Sequence, residues 1–138
     1  KHGEELLVGF YIPIKTSEFS KNSEVSRASS CFQRIMRPQG VALPILNCAV
    51  WLARENNTIK DIRIAVGPGG STPFRVTDAE NVLRGNPLTE ETFTRALDAL
   101  LAQAKFRTSA RRASADYRRH IVGGLFKDVL DTAWGRAG

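Results

Sequence analysis

Two cysteines, two histidines and a cluster of arginines are the side chains best suited to chemistry in this 138-residue chain. Cys31 and Cys48 lie far apart, and neither belongs to a Cys-x-x-Cys pair. They read as half-buried thiols in a reducing compartment. An iron–sulfur cluster usually takes four thiolates, and with only His2 and His120 besides, a Cys/His zinc site is short of ligands. No serine stands in a Gly-x-Ser-x-Gly elbow and His120 has no visible orienting partner, so nucleophilic catalysis lacks its parts. The carboxylates are scattered at solubilising positions. The residues alone therefore describe a chain that is not catalytic by itself.

Two motifs invite anion binding. "GPGGSTP" (67–73) has Thr72 where Gly-x-Gly-x-x-Gly needs its last glycine, and it lacks the Gly-Lys-Ser/Thr end of a Walker loop. It reads as a glycine-rich turn, with anion binding by its amides as the alternative. "RTSARRASADYRRH" holds Arg107, Arg111, Arg112, Arg118 and Arg119. It reads as a solvated basic loop and helix start, or as a surface for an anionic partner or cofactor. Only Phe106 and Tyr117 lie nearby and no RNP-type strand or recognition helix accompanies them, which disfavours nucleic acid.

The formal net charge of +6 admits an acidic partner, nucleic acid or an anionic cofactor and selects none. With 42% hydrophobic and 25% charged residues, the composition is that of one ordinary soluble domain. A chain of this size buries roughly 68% of its unfolded surface and needs no staple. No run of about twenty apolar residues exists, so no membrane span is expected. No signal peptide is visible either, and the expected location is cytoplasmic. Because the sequence opens on Lys1 rather than Met, it is expected to be an excised part of a longer polypeptide.

The elements that would carry these residues follow from periodicity. "LLVGFYIPI" (6–14) reads as a strand ending near Pro13, and the Ser-rich stretch 15–30 as a long loop. "CFQRIMR" (31–37) alternates, with Phe32, Arg34 and Met36 on one side and Cys31, Gln33 and Ile35 on the other. "LPILNCAVWLAR" (43–54) is a largely apolar strand candidate, with a helix the alternative that its Ala and Leu allow, and Asn56-Asn57 is the best hairpin tip in the chain. "IKDIRIAVG" (59–67) alternates Ile59, Asp61, Arg63 and Ala65 against Lys60, Ile62, Ile64 and Val66. Helical signals follow. Thr77 and Glu80 suit a capping box, Gly85 a stop, and Thr89 and Ser114 are N-caps. Tyr117, Ile121, Leu125, Val129 and Ala133 recur at i+4 in the last helix, where Gly123 and Gly124 each cost about 1 kcal/mol relative to Ala. Close approach of a neighbour, with the sheet beside Leu125, would account for that cost. Strands first and helices after give the α+β class: an antiparallel meander of three to four strands covered on one face by about three helices.

The ordered set "IRIAVGPGG", "STPFRVTDAENVLRGNPLTEETFTRAL" and "SADYRRHIVGGLFKDVL" resembles the C-terminal domain of the FAD-binding subunit of molybdenum hydroxylases, the carbon monoxide dehydrogenase and xanthine dehydrogenase group. "EELLVGFYIPI" is similar to the segment that leaves the group's FAD-binding domain. The resemblance implies that 1–138 is one C-terminal domain, with residues 1–14 the strand leaving a preceding FAD-binding domain. It implies an accessory role in electron transfer from iron–sulfur clusters through FAD to an acceptor. Its partners would be that preceding domain, a molybdopterin large subunit and an iron–sulfur small subunit. FAD would be held mainly by the preceding domain, with none expected on the isolated chain. The group often carries a lysine near the flavin on the strand equivalent to "CFQRIMR". The matching positions are Gln33 and Arg34, the candidate cofactor-binding residues, and Arg34 could supply the same charge. The alternatives are a free-standing basic α+β module for an acidic protein or nucleic acid, and an unrecognised enzyme.

The "YRR" start of the last helix implies a rim. Tyr117 would pack its ring and bond its hydroxyl at the edge. At least one of Arg118 and Arg119 would leave the core face for a carboxylate such as Asp116 or Asp61.

Overall fold

The structure is a computed structural model describing residues 27–37, 43–70, 72 and 74–138. The strand expected at 6–14 and most of the Ser-rich stretch lie outside the described residues.

Four strands form one antiparallel meander in the order β1-β2-β3-β4. They are β1 (Arg27–Met36), β2 (Pro44–Glu55), β3 (Thr58–Gly67) and β4 (Phe74–Arg75). β2 and β3 meet at Asn56-Asn57, where Asn56 takes φ 53°. Asparagine tolerates this left-handed conformation better than most residues do. Arg27–Ser30, expected as loop, extends β1 and is paired with Trp51–Arg54.

Three helices follow: α1 (Thr77–Leu83), α2 (Glu90–Gln103) and α3 (Ala115–Arg136). α3 lies on β1 and β2, α1 lies on β3, and α2 packs on α1 and α3 without reaching the sheet. Leu46, Cys48, Val50 and Leu52 of β2 and Ile62, Ile64 and Val66 of β3 face the helices and are buried. Phe126 of α3 stacks on Phe93 of α2 with ring centroids 5.6 Å apart, joining the two helical layers.

One residue re-phases β3. The β2–β3 register shifts beyond Ala53/Arg54, so that Arg54 faces Ile59 while Ala53 faces Asp61. Lys60 is the extra residue of this bulge. Strict alternation puts Ile59 on the opposite face from Ile62; the bulge turns it inward, and both are fully buried.

Caps agree with the sequence at two helices and differ at the third. Thr89 accepts from Thr92 N–H, and Ser114 accepts from Tyr117 N–H. α1 is capped by Val76 with no side-chain bond, so the expected Thr77–Glu80 box does not form. Glu80 turns into the core instead. Its Oε1 accepts from Ile64 N–H at 2.8 Å, and Arg75 donates to both carboxylate oxygens, at 2.9 and 2.5 Å. A β-strand amide with no strand partner for its hydrogen is a stronger claim on the carboxylate than an exposed helix end. Gly85 ends the helix at φ 78° as expected.

The paired glycines of α3 have different settings. A Cβ on Gly123 would meet Leu97 Cδ2 of α2 at 3.3 Å, whereas one on Gly124 would meet nothing within 4 Å. The close neighbour is thus α2 rather than the sheet. Gly124→Ala is expected to raise stability by about 0.5–1 kcal/mol. Gly123→Ala should gain less, because Leu97 must shift. Urea midpoints of the two variants compare them directly.

Cys31 and Cys48 are both free and more deeply buried than expected. Burial, and then the nearby Cys31, push the Cys48 thiol up from 9.0 to about 12. The neutral thiol is therefore the folded form across the whole working range. Above about pH 9 the unfolded chain binds fewer protons at this site than the folded one, so stability falls as pH climbs from about 9 towards 12. At pH 8 Cys48 is expected to resist alkylation until the chain is unfolded, a result read by mass spectrometry of the labelled protein. Rapid labelling of native protein would contradict this burial.

Candidate functional site

Opposed residues of an antiparallel pair share a face, so the register sorts the side chains of the sheet. Ser30, Trp51 and Arg63 form one row on the face away from the helices. Phe32, Ala49, Ala65 and Arg75 form the next. Arg34, Asn47 and Gly67 form the third. No described element covers this face. Phe32 is 60% exposed and Met36 41%. The small Ala49 and Ala65 make the floor of a cavity of about 410 Å3, bordered by Phe32, Trp51, Arg63, Arg75 and Arg136. The Arg63 guanidinium lies 5.2 Å from the centre of the Trp51 ring, within cation–π range. Arg136 donates to Ser30 O at 3.1 Å.

The two candidate cofactor residues part company here. Arg34 is exposed on the open face beside Phe32 and Met36, while Gln33 is opposite Cys48 on the helix side. A one-residue step along a strand reverses the side-chain direction, so no single ligand on one face meets both side chains directly.

The glycine-rich turn has local occupants. Gly67–Pro68 is a cis peptide bond. A Cβ on Gly67 would fall 2.7 Å from Asn47 Oδ1, and one on Gly69 would fall 2.7 Å from Phe74 Cε1. Gly69 O accepts from Lys105 N–H at 2.7 Å. At these two positions the absent side chains make room for the chain's own residues. That is a packing reason for glycine, and it supplies no phosphate cradle.

The "YRR" segment also differs from the rim expected of it. Tyr117 is 48% exposed, and the buried face of α3 begins at Arg118, followed by Val122, Leu125, Phe126 and Val129. Arg118 is 2% exposed and has no carboxylate partner. Its Nε donates to Ile45 O at 2.9 Å and its guanidinium also donates to Arg107 O. Ile45 is the residue skipped where the β1–β2 register shifts between Ile35 and Met36, so a bulge carbonyl is free to accept. Burial, followed by the like charges of Arg112 and Arg107, lowers the Arg118 pKa from its ordinary value. Arg119 donates twice to Leu101 O, at 3.1 and 2.9 Å, capping the carbonyl end of α2. Asp61, named as a possible partner, binds Arg84 at 3.2 Å instead. Backbone carbonyls thus take the place of the expected carboxylate. Among the described residues no group of side chains is arranged to hold a metal ion, and no helix is long and apolar enough to cross a membrane.

Residues 30–133 match the CO dehydrogenase flavoprotein C-terminal domain family. The chain belongs to this family. The flavoprotein C-terminal domain match runs from Ser30 within β1 to Ala133 near the end of α3, most of the sheet and its helical cover. Relatives agree with it. The chain is 27% identical over 135 residues to the xanthine dehydrogenase FAD-binding subunit of Escherichia coli O157:H7, covering 98% of this chain and 43% of that protein. It is 33% identical over 89 residues to the carbon monoxide dehydrogenase medium chain of Hydrogenophaga pseudoflava, covering 64% of this chain and 31% of that one. The solved carbon monoxide dehydrogenase of Hydrogenophaga pseudoflava superposes with a TM-score of 0.74 at 26% identity, over 84% of this chain and 40% of its own. The chain therefore spans less than half the length of these proteins.

Within this flavoprotein C-terminal domain, the described residues place Arg34 on an uncovered face that also carries the exposed Arg63 and Arg75. They do not fit a dinucleotide cradle, since the turn that resembles one is filled by Asn47 and Phe74. The sequence had placed Phe32 and Met36 beside Arg34. It had put Arg63 and Ala65 together on one face of their strand, but it had not set Trp51 opposite Arg63, because that register depends on the Lys60 bulge.

Proposed function

We propose that this chain is the C-terminal domain of the FAD-binding subunit of a molybdopterin-dependent oxidoreductase in the cytoplasm. Residues 1–14, outside the described residues, are then the segment that connects to a preceding FAD-binding domain. The role is to support electron transfer from iron–sulfur clusters through FAD to an acceptor. The partners are that FAD-binding domain, a molybdopterin large subunit and an iron–sulfur small subunit. The observation that carries the reading is the family match over 30–133, together with Arg34 on the uncovered face. FAD, held mainly by the preceding domain, supplies the redox chemistry. Arg34 supplies a fixed positive charge towards it, and Gln33, turned to the helix side, is left out of that contact.

The test uses the whole polypeptide purified with its partner subunits. Acid extraction is expected to release FAD in equimolar amount; a polypeptide without flavin overturns the reading. A nearby cation favours the more negative, reduced flavin. Arg34→Gln is therefore expected to lower the flavin midpoint potential by on the order of 30 mV, about 1.4 kcal/mol for a two-electron couple, and Arg34→Lys to restore most of it. An unchanged potential removes Arg34 from the site.

A further inference from the structure

We infer that the open sheet face is a docking surface for an acidic segment bearing a bulky apolar side chain, presented by the FAD-binding part of the same enzyme. The inference rests on the functional reading above, which turns Arg34 towards that part, and Arg34 shares this face.

The shape comes from residue size. Ala49 and Ala65 lie side by side on adjacent strands and leave a hollow that Phe32 and Trp51 border. A hollow of this kind receives a large apolar side chain, and a central Trp with flanking Arg is a common composition for binding hot spots. Phe32 is also a large apolar group left 60% exposed with no described neighbour over it.

The charge identifies the partner. Arg63 and Arg136 border the hollow and form no ion pair among the described residues. Arg75 is already matched by Glu80 below the face. An uncharged partner would strip water from the unmatched guanidinium groups without compensation. A second copy of the same face would set arginine against arginine. Carboxylates flanking an apolar anchor satisfy both parts of the surface, with Arg63 offering its planar fork to one of them.

Hydroxyl-radical footprinting of the assembled enzyme tests this, read by mass spectrometry. Phe32, Met36 (the single methionine of the chain) and Trp51 are expected to be protected, while Tyr117 on the helical side serves as the accessible reference. Arg63→Glu is expected to raise the modification rate of Met36 in the assembly on the order of tenfold, with Phe126 still protected as proof of folding. Arg63→Lys should keep most of the protection. Phe32, Met36 and Trp51 reacting as fast as Tyr117 in an enzyme that retains its FAD overturns the docking surface and leaves the functional reading standing. Loss of FAD binding by the unaltered polypeptide overturns that reading instead. Protection already complete in this chain alone, with Phe126 buried, assigns the face to residues 1–26 or a second copy and also overturns the inference.

Discussion

Phe126→Ala is expected to lower the unfolding free energy by about 3–5 kcal/mol, a large share of a typical total of roughly 5–15 kcal/mol. Phe126 is fully buried and is the largest such side chain in the core. It stands where both helical layers meet, stacked on Phe93 at an interplanar angle of 30°. Its removal costs the transfer of the ring from water and opens a void. Neighbours that also support the sheet, such as Val122 and Leu130, can fill that void only by moving α3. With a urea slope of about 2 kcal/mol per molar, the midpoint should fall by roughly 2 M. A shift below about 0.5 M would mean that α2 and α3 collapse readily around the gap and that the layers are looser than this packing implies.

Glu80→Ala ranks next, at about 2–4 kcal/mol. The carboxylate is 1% exposed and is the acceptor for Ile64 N–H in the centre of β3. Alanine leaves that amide buried without a partner, which alone costs about 1–3 kcal/mol. Arg75 stands half in water and recovers solvent when its partner goes, so the loss falls chiefly on the strand amide. Glu80→Gln keeps an oxygen for Ile64 and should cost less than alanine does. The order Ala, then Gln, then wild type in urea midpoint is the expected series. If Gln proved as damaging as Ala, the charge on Arg75 would outweigh the amide.

The comparison of sequence with structure divides along a physical line. Features set by residues close in sequence were legible: the hairpin at Asn56-Asn57, the caps Thr89 and Ser114, the stop at Gly85, and the alternation that puts Arg34 with Phe32 and Met36. Features set by where a polar group finds its best partner were not. Thr77 and Glu80 have the spacing of a capping box, yet Ile64 N–H claims the carboxylate. Tyr117 has the hydrophobic phase of the α3 stripe, yet Arg118 takes the buried position because bulge and loop carbonyls wait there for a donor. The two-residue β4 is too short to carry a period. The candidate site was half legible for the same reason. β1 shows its own two faces by alternation, but its neighbour on β2 is set by long-range pairing, and which residue of β3 stands opposite Trp51 depends on the insertion of Lys60, which no local pattern announces.

The first and last described elements are also stitched to each other. Ser29 Oγ donates to Ala133 O at 2.5 Å, and Arg136 donates to Ser30 O at 3.1 Å. These bonds close a loop of more than a hundred residues, while every strand pairing joins sequence neighbours. Local pairings of this kind form early in folding and distant ones late, so the hairpins can assemble before the ends are joined. The geometric consequence concerns attachment. The chain enters β1 and leaves α3 at one corner, so both covalent connections to any larger polypeptide would pass through that corner. A unit mounted this way needs no change in its own sheet to be carried within a longer chain, and the face bearing Phe32, Trp51 and Arg63 is presented as one continuous surface.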